Sequence, residues 1–285
     1  MKKAKNVLLR SKTTIKAIVF IYFFSFGFNA EAQVNWTNDG DSYYKLEKNQ
    51  LLTYTLPNHD AKTVITTEQL TPAGTSEPLK IAHFSFSSDQ QKVLLFTNTK
   101  KVWRLNTKGD YWVFNFRTNK LRQIGKSLPP SSLMFAKFSP NDNQVAYVSE
   151  HNIYIEEISS GVVKQLTFDG STTLINGTFD WAYEEEFSCQ DGFRWSPNGK
   201  NVAYWQIDAK DIKNFLMINT TDSIYSQTIP VQYPKVGQNP SACKIGVVSI
   251  DGGKTKWMDI PGDQIQNYLP RRMWDKDSKH LISQQ

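Results

Sequence analysis

Five times along the chain an aromatic residue opens a short turn, and a new apolar segment begins about seven positions later. The clearest copies are Phe86-Ser87-Ser88-Asp89 before residues 93–96, Phe138-Ser139-Pro140-Asn141 before 145–148, and Trp195-Ser196-Pro197-Asn198-Gly199 before 202–205. Trp36-Thr37-Asn38-Asp39-Gly40 before Tyr43-Tyr44 fits the same frame, and Trp274-Asp275-Lys276-Asp277 before Leu281-Ile282 is a degraded copy. The aromatics are 50, 52, 57 and 79 residues apart. A period near 50 with several strands per unit is the spacing of a β-propeller. In the turns, Pro and Gly set the backbone angles while Ser and Asn bond locally to it. The apolar run after each turn is then an interior strand, and residues 51–54, 111–114, 152–155 and 245–248 supply further strands. The expected fold is all-β: an incomplete β-propeller of about five four-stranded blades, the last one truncated. A β-sandwich is the alternative, but it does not require the same opening at near-constant intervals. The last interval is about 25 residues longer than the others, which points to an insertion between Asp208 and Pro234.

Composition agrees with strands and aromatic pockets: 17 Phe, 12 Tyr and 8 Trp, with 15 Gly and 12 Pro for turns. The net charge of +6 is a local effect, because six of the 33 bases and one of the 27 acids fall in the first 32 residues. The rest is nearly neutral and carries no Lys/Arg stripe of the kind that binds nucleic acid, so none is expected as a partner. Those 32 residues have a basic start, an uncharged run over 17–28 and Ala30-Glu31-Ala32 before Gln33, the three-part form of a secretory signal peptide. No later run is long and apolar enough to span a bilayer. Residues 33–285 are therefore expected to be exported, periplasmic or at the cell surface, with no membrane span once the leader is removed. An oxidising compartment permits Cys189 and Cys243 to pair, and the sequence leaves that open.

The richest local site is Asp180-Trp181-Ala182-Tyr183-Glu184-Glu185-Glu186-Phe187. Three adjacent acids between aromatics can be a solvated turn. If one or two of them enter a cavity they need cations or several donors, which makes a concave acidic pair a receptor for an ammonium group.

With this motif, with Phe193-Arg194-Trp195-Ser196-Pro197-Asn198-Gly199-Lys200, and with Tyr233-Pro234-Lys235-Val236-Gly237 followed by Asn239-Pro240, the chain closely resembles the dipeptidyl peptidase IV family. That family is a branch of the prolyl oligopeptidase-like serine peptidases. The resemblance covers most of residues 34–285 and is weaker before about residue 80. It implies an eight-bladed propeller covering a C-terminal α/β-hydrolase domain, and release of X-Pro or X-Ala dipeptides from peptide N-termini. By motif match, Glu185 and Glu186 would hold the free N-terminus, Glu184 would be a local structural carboxylate, and Arg104 would contact a peptide carbonyl or orient the acids. Asp180, Trp181, Tyr183, Tyr233 and Pro234 match as structural parts of the motifs. The insertion, taken as an arm around 208–232, resembles the family's projection that helps form homodimers.

No Gly-x-Ser-x-Gly elbow occurs, so no catalytic residue is assigned; the family's Ser, Asp and His would fall beyond residue 285, and the hydrolase domain is expected to be absent. There is no zinc spacing, no His-Glu-x-x-His, no calcium loop and no nucleotide glycine fingerprint, so neither metal nor cofactor is expected. Two readings stand. One is the peptide-binding propeller portion of an exported serine dipeptidyl peptidase, inactive in isolation, with free-N-terminus peptides as partners. The other is a noncatalytic propeller that binds a peptide or protein.

Overall fold

The structure is a computed structural model that describes residues 35–285; the leader expected over 1–32 lies outside them. The first sheet runs in sequence order through β1 (Asn35–Trp36), β2 (Ser42–Glu47), β3 (Gln50–Thr55) and β4 (Asp60–Ile65). Most of it forms one compact unit, residues 35–45 and 51–64 of those described, and the remaining residues form a second.

In the second unit, the second repeat folds as β5 (Ile81–Phe86), β6 (Lys92–Val102), β7 (Leu105–Asn115) and β8 (Lys120–Ile124). The third follows as β9 (Leu133–Phe138), β10 (Gln144–Ser149), β11 (Asn152–Glu157) and β12 (Val163–Gln165). Each is an antiparallel meander, and the two join where Lys108 and Gly109 of β7 pair with Met134 and Leu133 of β9. The fourth contains β13 (Leu174–Asn176), α1 (Trp181–Phe187), β14 (Phe193–Trp195), β15 (Asn201–Asp208), β16 (Asn214–Asn219), β17 (Gln227–Gln232), β18 (Ala242–Ser249) and β19 (Lys256–Trp257). Its sheet is β13/β14, β15, β18, β19, while β16 and β17 pair only with each other as an exposed hairpin. The fifth is represented by β20 (Arg271–Trp274) and β21 (Leu281–Gln284). The architecture is all-β, with the blades of a β-propeller. Among the described residues no helix is long and apolar enough to cross a membrane.

The repeated aromatic ends the first strand of each unit, and the hydroxyl residue after it builds the turn. Ser87, Ser139 and Ser196 each donate a backbone N–H across the turn, to Lys92, Gln144 and Asn201, at 2.8–2.9 Å. Each hydroxyl accepts the return N–H of that partner at 2.9–3.0 Å and donates to Asp89, Asn141 or Asn198 at 2.7–2.8 Å. Thr37 does the same with Ser42 and Asp39. The position four beyond each aromatic is left-handed in all five copies: Gly40, Gln90, Asp142, Gly199 and Ser278. Glycine was expected to set these angles, yet only two of the five are glycine. The side-chain bonds hold the others in a conformation that most residues avoid.

The apolar runs after the turns are second strands, and in the second, third and fourth repeats (β6, β10 and β15) they are buried on both faces. In β10, Val145 and Tyr147 pack toward the second repeat with Leu94, Phe96 and Leu133, while Ala146 and Val148 pack toward the fourth with Phe193, Val202 and Tyr204. In β15, Val202 and Tyr204 face one way, and Trp205 and Ile207 face a cluster with Tyr183, Cys243 and Leu269. Period-two alternation thus feeds two separate cores, which is why these strands read as unbroken apolar runs. Each fully buried large side chain contributes about 1.5–3 kcal/mol relative to exposure. Cys189 and Cys243 are both buried free thiols.

Candidate functional site

The acidic motif sits in an interruption of the fourth sheet's innermost strand. Strands β13 and β14 pair with successive halves of β15, Asn176 opposite Gln206 and Phe193 opposite Tyr204. Trp205 lies between: it accepts from Gly177 N–H at 2.9 Å and donates to the Gly192 carbonyl at 3.0 Å. Gly192 N–H closes the neck on the Gly177 carbonyl at 3.0 Å. A Cβ on Gly192 would lie 2.7 Å from the Gly177 carbonyl carbon and 2.8 Å from Thr178 N, so only glycine fits.

The excursion between these glycines carries α1. Asp180 caps it in extended conformation, its side chain accepting from Tyr183 N–H at 3.1 Å while its other oxygen accepts from Ser241 Oγ at 2.5 Å. Burial raises the Asp180 carboxyl above the ordinary range, and the Ser241 and Tyr183 bonds oppose that rise. At the other end Ser188 is left-handed, and the N–H groups of Ser188 and Cys189 return to Glu184 and Tyr183. Arg271 Nη2 donates to the Phe187 carbonyl at 2.9 Å. Ala182 and Tyr183 form the buried side; Tyr183 stacks on Phe179 and its hydroxyl accepts from Leu269 N–H at 3.2 Å. Glu185 and Glu186 are exposed.

The opposing charge arrives from the second repeat. Strands β6 and β7 form a long hairpin closed at Val102 and Leu105, with Trp103 left-handed and exposed at its tip beside Arg104. Arg104 Nη2 lies 2.9 Å from Glu185 Oε1. The Arg104 side chain is 73% exposed and that of Glu185 31%, so the pair contributes only about 0–1 kcal/mol to stability. Its effect is positional: it fixes one carboxylate against one guanidinium across two repeats. Burial raises the half-buried Glu184 carboxyl and Glu185 adds to that rise, with Arg104 opposing. Glu186 has no ion pair among the described residues. The nearby Tyr268 hydroxyl is pushed up by burial, then by Asp180 and Glu186.

Trp181, the first residue of α1, packs on Tyr233 at 4.2 Å between ring centroids, and Tyr233 on Phe215 of β16 at 5.9 Å. The helix is thereby tied to the root of the exposed hairpin. Pro234 lines a cavity of about 600 Å³ there, together with Asp208, Phe215 and Asn239. The fold thus brings Arg104 to Glu185 and Trp181 to Tyr233, while Glu186 has no cation beside it among the described residues.

Sequence reasoning missed a second tie. Lys137 of β9 reaches the end of the excursion, its Nζ 2.6 Å from Asp191 Oδ1 and 3.0 Å from the Phe193 carbonyl. Arg194 Nη1 is 3.1 Å from Asp191 Oδ2. Burial pushes the Lys137 ammonium down to about 8, with Asp191 opposing. The only local signal was Asp191-Gly192, separated from the end of the acidic motif by three residues. Among the described residues one group of ligand-type side chains converges, exposed Asp275, Asp277 and His280 in the fifth turn. Asp277 there accepts the N–H groups of Lys279 and His280 at 2.7 and 3.1 Å, as a turn residue does.

Residues 87–285 match the family model described as the dipeptidyl peptidase IV (DPP IV) N-terminal region. Dipeptidyl aminopeptidase B of Saccharomyces cerevisiae is 29% identical over 247 residues, covering 81% of this chain and 29% of that protein. Inactive dipeptidyl peptidase 10 of Rattus norvegicus is 28% identical over 260 residues, covering 89% of this chain and 32% of that protein. Among solved structures, dipeptidyl peptidase 4 of Porphyromonas gingivalis has the same fold at a TM-score of 0.78 and 24% identity, covering 88% of this chain and 35% of that one. The chain spans about a third of the length of these proteins.

Proposed function

Since the chain belongs to the family of the dipeptidyl peptidase IV N-terminal region, we propose that it is the propeller portion of an exported serine dipeptidyl peptidase, with Glu185, Glu186 and Arg104 holding the free N-terminus of a peptide. The observation that carries this reading is the 2.9 Å contact between Arg104 and Glu185. It places a planar five-donor cation beside carboxylates that retain free lone pairs. A peptide α-amine, with a reference pKa of about 7.7–8.0, is largely charged at neutral pH and donates to two carboxylates at once. Arg104 keeps donors for a peptide carbonyl. An ammonium fixed at the acidic helix sets how far the chain extends to the scissile bond. Cleavage after the second residue, at Pro or Ala, then needs a Ser nucleophile with its His and Asp. No nucleophile elbow occurs in residues 1–285, and a positioned ammonium without an aligned nucleophile gives no proximity advantage.

The binding test is calorimetric titration with Ala-Pro peptides bearing free or acetylated N-termini. Free peptides bind and acetylated ones do not; equal binding rejects the assignment. For activity, the 285-residue chain alone leaves Ala-Pro and Gly-Pro chromogenic substrates uncut, and inhibitor-sensitive turnover would reject that expectation.

A noncatalytic peptide- or protein-binding propeller is the second reading, favoured by the match to a relative named inactive over 89% of this chain. The exposed Phe215, Leu216, Met217 and Ile218 of the hairpin support an arm that pairs with a second copy. Export rests on the leader sequence.

A further inference from the structure

Beyond the C-terminal end of α1 lies a cavity of about 660 Å³ whose wall includes Cys189, Asp191, Arg194, Trp205, Arg271 and Arg272. Its charge is lopsided: three guanidinium groups and one carboxylate. Asp191 is already engaged by Lys137 and Arg194. Arg271 is spent on the carbonyls of Phe187 and Pro270 and on Cys189 Sγ.

Arg272 is different. It is 6% exposed, and its head group lies over the Trp205 ring, 4.2 Å from the centroid. Its Nε, Nη1 and Nη2 are all closed off from solvent without a hydrogen-bond partner among the described residues. A buried guanidinium with no acceptor is among the costliest groups a fold can contain. Trp205 satisfies one face of the plane but none of the five in-plane N–H donors. Burial pushes this arginine down to about 9, Cys243 opposes the shift, and Arg194 adds to it. What the head group lacks is a planar, two-oxygen anion, and the long stem gives it rotamers with which to meet one.

We propose that this cavity is a carboxylate-binding site with Arg272 as its principal donor and Arg194 beside it. The carboxylate comes either from a free small acid or from an acidic residue of a bound peptide. Only the second source rests on the proposed peptide-binding function.

The test uses the protein carrying this chain at its natural length. In the first arm, sodium succinate is titrated against sodium chloride at equal ionic strength, and the thermal midpoint is read. Succinate raises the midpoint of the wild type, and Arg272→Met abolishes the rise. Arg272→Lys, which keeps the charge and loses the planar fork, weakens it and serves if the Met variant does not fold. In the second arm, analogues of Gly-Pro-Glu and Gly-Pro-Gln whose bond after Pro is reduced and cannot be hydrolysed are titrated calorimetrically. The wild type favours the Glu peptide about tenfold, the worth of one charge-assisted contact, and Arg272→Met binds both alike. A Glu185→Gln variant separates the two readings: if the N-terminus assignment fails, it leaves both affinities unchanged while the Glu/Gln ratio still reports on Arg272. Response in the first arm alone identifies a free acid as the ligand, and in the second alone an acidic peptide. No response in either arm, or equal responses in wild type and both variants, overturns the site.

Discussion

Gly192 is the residue least free to change, because its missing side chain is what lets the inner strand leave the sheet and return. The Cβ that alanine adds meets backbone at 2.7–2.9 Å on three atoms of Gly177 and Thr178, none of which can rotate away. Gly192→Ala is expected to cost about 1–3 kcal/mol as overpacking and to lower peptide affinity with it, since the neck sets the helix position; urea unfolding and calorimetry on the same samples check both. Lys137 gives a second prediction, in pH. Its folded value of about 8 lies below the ordinary 10.5. Below the folded value it is charged in both states, and the burial cost is fully present. Between the two values the folded protein has shed a proton that the unfolded chain keeps, so stability from this group rises with pH. Wild type should therefore gain on Lys137→Met between about pH 7.5 and about pH 9.5 in urea unfolding; a constant difference between them rejects the shift. Neither residue stood out in the sequence, because glycine's neighbour lies across the neck of the excursion and lysine's partner lies in the next repeat.

At the level of elements, α1 is too short to hold itself. Seven residues stand on the Asp180 cap, the left-handed Ser188 and the packing of Tyr183. Asp180→Ala removes the acceptor for Tyr183 N–H and strands the Ser241 hydroxyl, so it should cost about 1–2 kcal/mol and weaken peptide binding. Asp180→Asn keeps one oxygen and should lose less of both, a ranking that thermal unfolding and calorimetry read directly. The turn-and-strand repeat was legible in the sequence because its parts are local: aromatic, hydroxyl, Asx, then an apolar run within about ten residues. The split inner strand was not. β13 and β14 are three residues each, too short to show a period, and only Trp205 shows that they are halves of one strand. Arg104, Glu185 and Glu186 were named from motif resemblance, and the hairpin that carries Arg104 to Glu185 has no signature beyond its length.

On the scale of the whole second unit, the site depends on a repeat that contributes no residue to its ion pair. Arg104 comes from the second repeat and Glu185 from the fourth, so the third sets their separation. Besides apolar packing, the second and third repeats are joined at their turns. Asp142 accepts the N–H groups of Ser88 and Asp89 at 2.9 and 3.0 Å and the Ser88 hydroxyl. The fourth and fifth repeats have a weaker counterpart, in which Asn198 N–H donates to Ser278 Oγ at 3.0 Å. A buried carboxylate taking several donors is worth more than a single exposed hydroxyl contact, so Asp142→Ala should cost about 2–3 kcal/mol and Ser278→Ala a few tenths at most. Their effects on binding should separate further. Loosening the second repeat against the third moves Arg104 relative to α1, so Asp142→Ala weakens free-N-terminus peptides although it touches neither partner. Ser278→Ala leaves them unchanged. In an Asp142→Ala background, Arg104→Ala should then cost less affinity than in wild type, because the guanidinium has already lost its place. A double-mutant cycle read by calorimetry measures that coupling. Strict additivity would mean that the hairpin finds Glu185 by its own flexibility and not through the packing of the repeats.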